Sequence, residues 1–390
     1  MQQSVVGDAP FQIGLGAGVC VRAGVYVHFP WCLAKCPYCD FVSFGTEKGA
    51  IDHDGYADAV IRELDRRAES LGGRRIESVF FGGGTPSLWQ PRALGRVLAR
   101  VKATLEHADE LEVTVECNPT SLDEEGARAL VDVGVGRVSI GVQSLRDDRL
   151  EYLGRLHDAA GARRAIGDAQ RAKVPRVSGD LIFGLPDQSP ADATAEATEL
   201  CELGLDHLSA YQLTIEPGTR FGELAKRGRL PLAEEGAVAE SFLSIEAALG
   251  VRGLRHYEIS NYARPGQEAR HNLGYWRGDE YLGLGCAAYG FVMTGPEQGV
   301  RYRNDPSPDR YVQGAPSTQE PIDAATRMRE RIMLGLRVTE GIDLDGDLTP
   351  ERERSLAWLE QRGRVVRQGS RVRIPPAAWL WADDTAARLF

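Results

Sequence analysis

A chain of 390 residues, 43% of them apolar, has material for a large core and for two or three domains. Its formal net charge of −10 gives no electrostatic footprint for a nucleic-acid partner. No apolar run approaches the roughly 20 residues of a membrane span, and residues 1–23 read as a flexible tail, not a secretory leader, so the expected compartment is the cytoplasm.

Residues 24–29 form the first expected strand, and a compact loop follows in which Cys32, Cys36 and Cys39 are spaced C-x3-C-x2-C. Three thiolates from one tight loop can hold a metal centre but leave one position without a protein ligand. A fully cysteine-ligated cluster needs a fourth thiolate, and the remaining cysteines lie outside the loop. The expectation is a [4Fe–4S] cluster with one iron open to S-adenosylmethionine. A structural zinc site would bring a second ligand pair at matching distance. A dithiol motif, Cys36-Pro37-Tyr38-Cys39, would leave Cys32 without a role, and an odd cysteine count argues against a disulfide framework.

Further along, residues 54–71 have helical spacing ended by Gly72-Gly73, and residues 76–81 read as a strand running into Gly82-Gly83-Gly84-Thr85-Pro86. A helix at 91–105, a strand at 111–116, a helix at 122–133 and a strand at 137–142 follow. A helix near 158–173, a strand at 177–183, a helix at 190–203 and a strand at 206–213 complete the series. Six strands alternating with helices predict a parallel sheet with helical crossovers. Its polar and glycine-rich residues gather at or near strand ends, where a barrel of βα units binds ligands. Past Pro217 the rhythm breaks: residues 234–249 read as a helix, 254–262 as one more strand, and 263–320 resist assignment. Helices near 324–336 and 349–362 and a hairpin at 364–374 predict a small winged-helix-like module. The expected domains are the tail (1–23), a barrel (24–217), an extension (218–320) and this module (321–390).

The triple-glycine loop lacks the Lys-Ser/Thr ending of a P-loop and is not a dinucleotide fingerprint. Three glycines let backbone approach a ligand closely, although a plain tight turn would need no ligand. Glu116, Gln143, Arg155 and Asp180 fall on successive βα units. A carboxylate can hold a ribose hydroxyl pair, and an arginine can grip the carboxylate of methionine. Singly each is a candidate surface or salt-bridge residue; together they make a plausible adenosyl site.

These motifs resemble the radical S-adenosylmethionine superfamily. Within it, the stretch from Tyr26 to Phe41, Glu116-Cys117-Asn118-Pro119, Gly141-Val142-Gln143-Ser144 and Asp180-Leu181-Ile182-Phe183-Gly184-Leu185-Pro186 resemble the coproporphyrinogen-oxidase-like branch over residues 24–380. The resemblance implies an incomplete (β/α)6 barrel with a C-terminal α+β module, and cluster ligation by Cys32, Cys36 and Cys39. It implies an S-adenosylmethionine site lined by Tyr26, Tyr38, Gly83, Gly84, Thr85, Glu116, Gln143, Arg155, Asp180, Ile182 and Ala210.

Phe41 stands where the oxidases carry another cysteine, which argues against coproporphyrinogen oxidation. His271-Asn272-Leu273-Gly274-Tyr275-Trp276 is similar to the H-N-x-x-Y-W segment of the haem-chaperone (HemW) family, which makes His271 the candidate haem ligand. Without that resemblance, His271 reads as a hydrogen-bonded loop histidine. Tyr289 occupies a position where that family usually has histidine, and tyrosine can also ligate haem iron. The implied partners are haem and haem-accepting respiratory or membrane proteins, with a homodimer as one arrangement. The competing expectation is a radical enzyme acting on a porphyrinogen, or a radical methyltransferase.

Overall fold

The computed structural model describes residues 22–390, so the tail expected over 1–23 lies outside it as far as residue 21. Six strands run in sequence: β1 (Arg22–Phe29), β2 (Arg75–Gly83), β3 (His107–Cys117), β4 (Arg137–Gln143), β5 (Arg176–Phe183) and β6 (His207–Gln212). Between them lie α1 (His53–Arg67), α2 (Pro91–Thr104), α3 (Glu124–Asp132), α4 (Ala159–Arg171) and α5 (Pro190–Glu202). Each neighbouring pair from β1 to β6 is parallel and adjacent. The strand alternation explains the layers. On β1, Val25, Val27 and Phe29 are fully buried in the main core, while Gly24, Tyr26 and His28 alternate with them and face the lumen. Helix starts are fixed by side-chain caps: Asp52 accepts from Gly55 N–H, Asp123 from Gly126, Asp158 from Gly161 and Ser189 from Asp192.

The sheet extends past both ends of the expected six strands. Residues 254–262, expected as one strand, form a hairpin of β7 (Arg255–Glu258) and β8 (Asn261–Ala263). The buried Glu258 carboxylate folds the chain back by accepting from Ser260 N–H and Asn261 Nδ2–H. The stretch that resisted assignment holds four strands: β9 (Glu280–Leu284), β10 (Tyr289–Met293), β11 (Gly299–Arg303) and β12 (Thr318–Ile322). Strand β9 lies parallel to β1, in the register Val25 to Leu282. The full order is β12-β11-β10-β9-β1-β2-β3-β4-β5-β6-β8-β7. Because β9 and β6 carry antiparallel neighbours instead of meeting, the barrel stays open along one side. Charged residues masked these strands in the sequence: Glu280 is buried against Arg74 at 2.5 Å, and Arg301 is spoken for by Glu330 at 2.6 Å. Helix α6 (Glu235–Val251) precedes β7, and α7 (Arg270–Arg277) lies between β8 and β9.

The C-terminal region builds its own apolar core from α8 (Ala324–Gly335), α9 (Pro350–Gln361) and a small sheet. That sheet has β13 (Ile342–Asp343) pairing with β15 (Arg371–Arg373), which pairs with β14 (Val366–Gln368) in the expected hairpin. Leu336, Leu344, Leu356, Leu359, Val372, Trp379 and Leu389 fill it, and Phe242 and Ile259 of the barrel side pack against it.

Candidate functional site

The cysteine loop is pinned at its base. Trp31–Cys32 runs beside Phe44–Gly45, with Phe44 N–H donating to Pro30 O at 2.8 Å and Thr46 N–H to Cys32 O at 2.9 Å. A turn from Cys36 O to Cys39 N–H (3.2 Å) and the Lys35 ammonium on Phe41 O (2.9 Å) shape the tip. All six described cysteines are free, Cys32 is buried, and Cys36 and Cys39 are half-buried. Burial raises the thiol pKa values of Cys32 and Cys39, a penalty on the charged form that metal coordination would remove. Cys36 Sγ accepts from Arg155 Nη1 at 3.4 Å, and Arg155 Nη2 donates to Gly141 O at 2.9 Å.

The triple glycine is required by close approach. A Cβ on Gly83 would stand 2.5 Å from the His28 ring, and one on Gly84 would stand 2.6 Å from Trp31 O. Gly84 N–H and Thr85 N–H donate to Phe29 O and Trp31 O at 2.7 and 2.8 Å, so the glycine loop is stitched to the start of the cysteine loop. Gly83 N–H donates to the Glu116 carboxylate at 3.0 Å. Burial and the nearby Asp180 push the Glu116 pKa up to about 7, against the pull of that N–H. Burial also raises Asp180, while Ser209, Arg137 and Ser139 oppose the rise. Tyr26 O–H donates to His28 Nδ1 at 3.0 Å, because His28 Nε2 carries the proton given to Val42 O at 2.8 Å.

Most residues expected at the adenosyl site converge on one mouth. Tyr26, Gly83, Gly84, Glu116 and Asp180 surround the upper lumen, with Arg155 beside Cys36 and Thr85 beside Cys32. Gln143 ends β4 at φ 63°, a left-handed conformation costly for a side chain with a Cβ. Ile182 and Tyr38 belong to a small apolar patch with Leu153, Leu185, Leu213 and Phe221. Ala210 is different: its methyl belongs to the main core, and its N–H is taken by Ser260 O at 2.8 Å. A cleft lined by Leu33, Cys36, Thr85, Asn118, Gly154 and Arg155 opens beside the cysteine loop.

His271 is not at this mouth. It lies on α7 against the opposite end of the lumen, 4% exposed, with Nδ1 at 2.8 Å from Ser78 Oγ and Nε2 at 3.0 Å from Tyr275 O–H. Its ring stacks on Phe80, and a Cβ on Gly24 would touch it at 3.2 Å. The Glu112 carboxylate accepts from both Arg270 and His271 N–H groups at 3.1 Å, capping the helix from β3. The segment 267–277 therefore forms a floor under the barrel. Burial lowers the His271 pKa to about 4. Phe41 and Tyr289 are 57% and 46% exposed, and the Arg303 guanidinium lies 5.1 Å from the Tyr289 ring centroid.

Sequence reasoning passed over the polar layer below Asp180: Arg137, Ser139, Ser178, His207 and Ser209. Their spacing of two along β4, β5 and β6 was the available signal, since it repeats the lumen-facing period of Asp180.

The model of the radical SAM superfamily matches residues 26–198, and that of the HemN C-terminal domain matches 322–381. The chain is 38% identical over 318 residues to heme chaperone HemW of Escherichia coli (strain K12), covering 81% of this chain and 82% of that protein. The chain belongs to the HemW family of radical SAM proteins. Heme chaperone HemW of Mycobacterium tuberculosis (strain ATCC 25618 / H37Rv) is 33% identical over 94% of each chain. The mitochondrial radical S-adenosyl methionine domain-containing protein 1 of Danio rerio is 35% identical over 83% of this chain and 74% of its own. Among solved structures, coproporphyrinogen III oxidase (HemN) from Escherichia coli matches with a TM-score of 0.78 at 20% identity, covering 95% of this chain and 90% of that one. At that identity the likeness is one of fold, here the partial radical SAM barrel with its C-terminal module.

The superfamily implies a [4Fe–4S] cluster and S-adenosylmethionine, and the residues present fit both. The donor set is three soft sulfurs from one loop. Beside it, Arg155 Nε is buried without a partner among the described residues, a donor left to spend. The glycine backbone above leaves no room for side chains and presents its own polar groups instead.

Proposed function

We propose that this protein is a haem chaperone that carries a [4Fe–4S] cluster and S-adenosylmethionine at the barrel mouth and passes haem to acceptor proteins. The observation carrying the reading is the 38% identity to heme chaperone HemW across four-fifths of both chains. The complete His271-to-Trp276 segment and the exposed Phe41 in place of a further cysteine support it. Cys32, Cys36 and Cys39 would hold the cluster. Gly83, Gly84 and Thr85 would meet the methionine ammonium, and Arg155 its carboxylate. Glu116, Gln143 and Asp180 would hold the adenosyl hydroxyls and ring, flanked by Tyr26, Tyr38, Ile182 and the backbone of Ala210. The chemistry supplied there, when both groups are bound, is one-electron reduction of the sulfonium.

His271 enters as a candidate iron ligand in its neutral form. Ligation through Nε2 requires release of the Tyr275 hydroxyl and opening of the barrel floor. The exposure of Tyr289 favours a second reading in which its phenol meets the iron. The acceptors would be respiratory or membrane proteins reached from the cytoplasm. Among the described residues, no helix is long and apolar enough to cross a membrane.

Hemin titration of the anaerobically reconstituted protein, with and without S-adenosylmethionine, tests the proposal. A saturable Soret band is expected, and its absence sinks the chaperone reading. Loss of that band in His271→Ala but not Tyr289→Phe assigns the first ligand; the reverse assigns the second.

A further inference from the structure

Below the candidate adenosyl residues the lumen contains a guanidinium that no ion pair among the described residues accounts for. Arg137, the first residue of β4, is 2% exposed. Its Nη2 donates to Ser178 Oγ at 2.9 Å and to His207 Nδ1 at 3.3 Å, both neutral groups, while its Nε has no partner among the described residues. Burying a charge among neutral partners is costly unless it serves nearby anions. Two lumen carboxylates feel its charge, Asp180 and Glu116, each drawn toward its ionised form by it.

With Asp180 ionised, the shortest bonds around Arg137 run in one direction. A guanidinium can only donate, and an ionised carboxylate can only accept. Ser139 O–H donates to Asp180 Oδ1 at 3.0 Å, so Ser139 Oγ accepts from Ser178, 2.9 Å away. Ser178 has then spent its proton and accepts from Arg137. The competing contact, Ser178 to Val138 O, is longer at 3.5 Å. The relay therefore runs Arg137 to Ser178 to Ser139 to Asp180 and ends on the carboxylate. A second relay leaves the same nitrogen. His207 Nδ1 accepts, so its Nε2 carries the proton and donates to Tyr257 Oη at 2.8 Å. Tyr257 Oη also accepts Ala269 N–H at 3.2 Å, at the N-cap of α7.

We propose that Arg137 is a positioning residue that orients Asp180 for its ligand through two serines and, through His207 and Tyr257, ties that carboxylate to the start of α7. The inference rests on reading Asp180 as a contact of S-adenosylmethionine. Its consequence is that occupancy at the mouth is felt at the floor helix that carries His271, and by linkage the reverse holds.

The test uses full-length, anaerobically reconstituted protein titrated with S-adenosylmethionine across pH. The variants are Arg137→Met, Arg137→Lys, Ser178→Ala and Asp180→Asn. Losing one charge-assisted bond predicts roughly tenfold weaker binding in Arg137→Met and in Asp180→Asn. Ser178→Ala, which keeps the charge and cuts the relay, is expected to fall with them, and Arg137→Lys to recover part of the loss. In Arg137→Met the pH below which binding fails moves upward, because Asp180 loses the nearby positive charge that favours its ionised form; a purely structural defect would weaken binding evenly across pH. Hydrogen exchange at residues 269–271 is expected to slow on ligand binding in the parent protein and not in Arg137→Met. Wild-type affinity and pH profile in both Arg137→Met and Ser178→Ala overturn the proposal. Wild-type affinity in Asp180→Asn instead overturns the ligand reading on which it rests. Should Arg137→Met fail to fold, Ser178→Ala and Arg137→Lys decide the matter.

Discussion

Replacing Glu196 by alanine tests how the turn that presents Gln143 is held. The Glu196 carboxylate on α5 is 5% exposed and accepts from Leu145 N–H at 2.6 Å, Gln188 Nε2 at 3.3 Å, Ser144 O–H and Arg149 Nη1. These bonds fix the two residues that follow Gln143 at its left-handed φ of 63°. Alanine leaves a buried backbone N–H and a hydroxyl without an acceptor, at about 1–3 kcal/mol each. It also strands Arg149, and breaking a buried pair costs about 3–5 kcal/mol. The costs overlap, and Asp192, 3.1 Å from Arg149 but 42% exposed at its side chain, keeps part of the charge balance. The expected loss is therefore about 3–5 kcal/mol in all. Glu196→Gln, which keeps one acceptor oxygen and the volume, should lose about 1–3 kcal/mol. Urea unfolding followed by far-ultraviolet circular dichroism reads the difference. With a slope of about 3 kcal/mol per molar, the alanine midpoint should fall by roughly 1–1.7 M. S-adenosylmethionine affinity should fall as well, since Gln143 loses its support. An alanine variant within 1 kcal/mol of the parent would refute this account of the turn.

Gly84→Ala forces a Cβ to within 2.6 Å of Trp31 O and 2.9 Å of Phe29 O, backbone atoms that cannot step aside. A stability loss of about 1–3 kcal/mol is expected, with fewer irons retained per chain after reconstitution; unchanged iron content would show that the glycine stitch is dispensable. At position 143 the backbone, not the side chain, sets the stability order, so Gln143→Gly should be about 1 kcal/mol more stable than Gln143→Ala, while both weaken S-adenosylmethionine binding. For His271, burial holds the folded pKa at about 4, below the ordinary imidazole value of 6.5. Between those values the unfolded chain binds the proton and the fold does not, so this residue's contribution is lost as pH falls through the window. From pH 7 to pH 5 the parent should lose about 2 kcal/mol that His271→Gln does not lose. Equal slopes in the two proteins would mean that His271 is not buried neutral.

Much of the candidate site was legible because its motifs are local. The C-x3-C-x2-C spacing needs only one loop to bring three sulfurs together, and Gly82, Gly83 and Gly84 are informative because close approach leaves no room for a Cβ. The six strands were legible because Val25, Val27 and Phe29 on β1, and their counterparts on β2 to β6, repeat with a period of two or run as short apolar blocks. The four strands after Arg277 were not, because Glu280 and Arg301 keep charges whose partners, Arg74 for the first and Glu320 and Glu330 for the second, lie on other elements of the chain. The hairpin at 254–263 was hidden for a similar reason: the turn is made by a buried glutamate, a residue that propensity does not place there.

The sequence by itself determined which chemistry the chain can support, since cofactor-binding loops are short and their residue types are dictated by the ligand's own chemistry. Only the tertiary structure decided where each part stands. Arg137 is linked to Asp180 through Ser178 and Ser139, and to Tyr257 through His207, because the sheet curls and brings inward-facing side chains of β4, β5, β6 and β7 into one lumen. The same curvature sets His271 beneath the barrel, across the lumen from the cysteines. Spacing along a chain carries no information about which end of a barrel a distant helix will close.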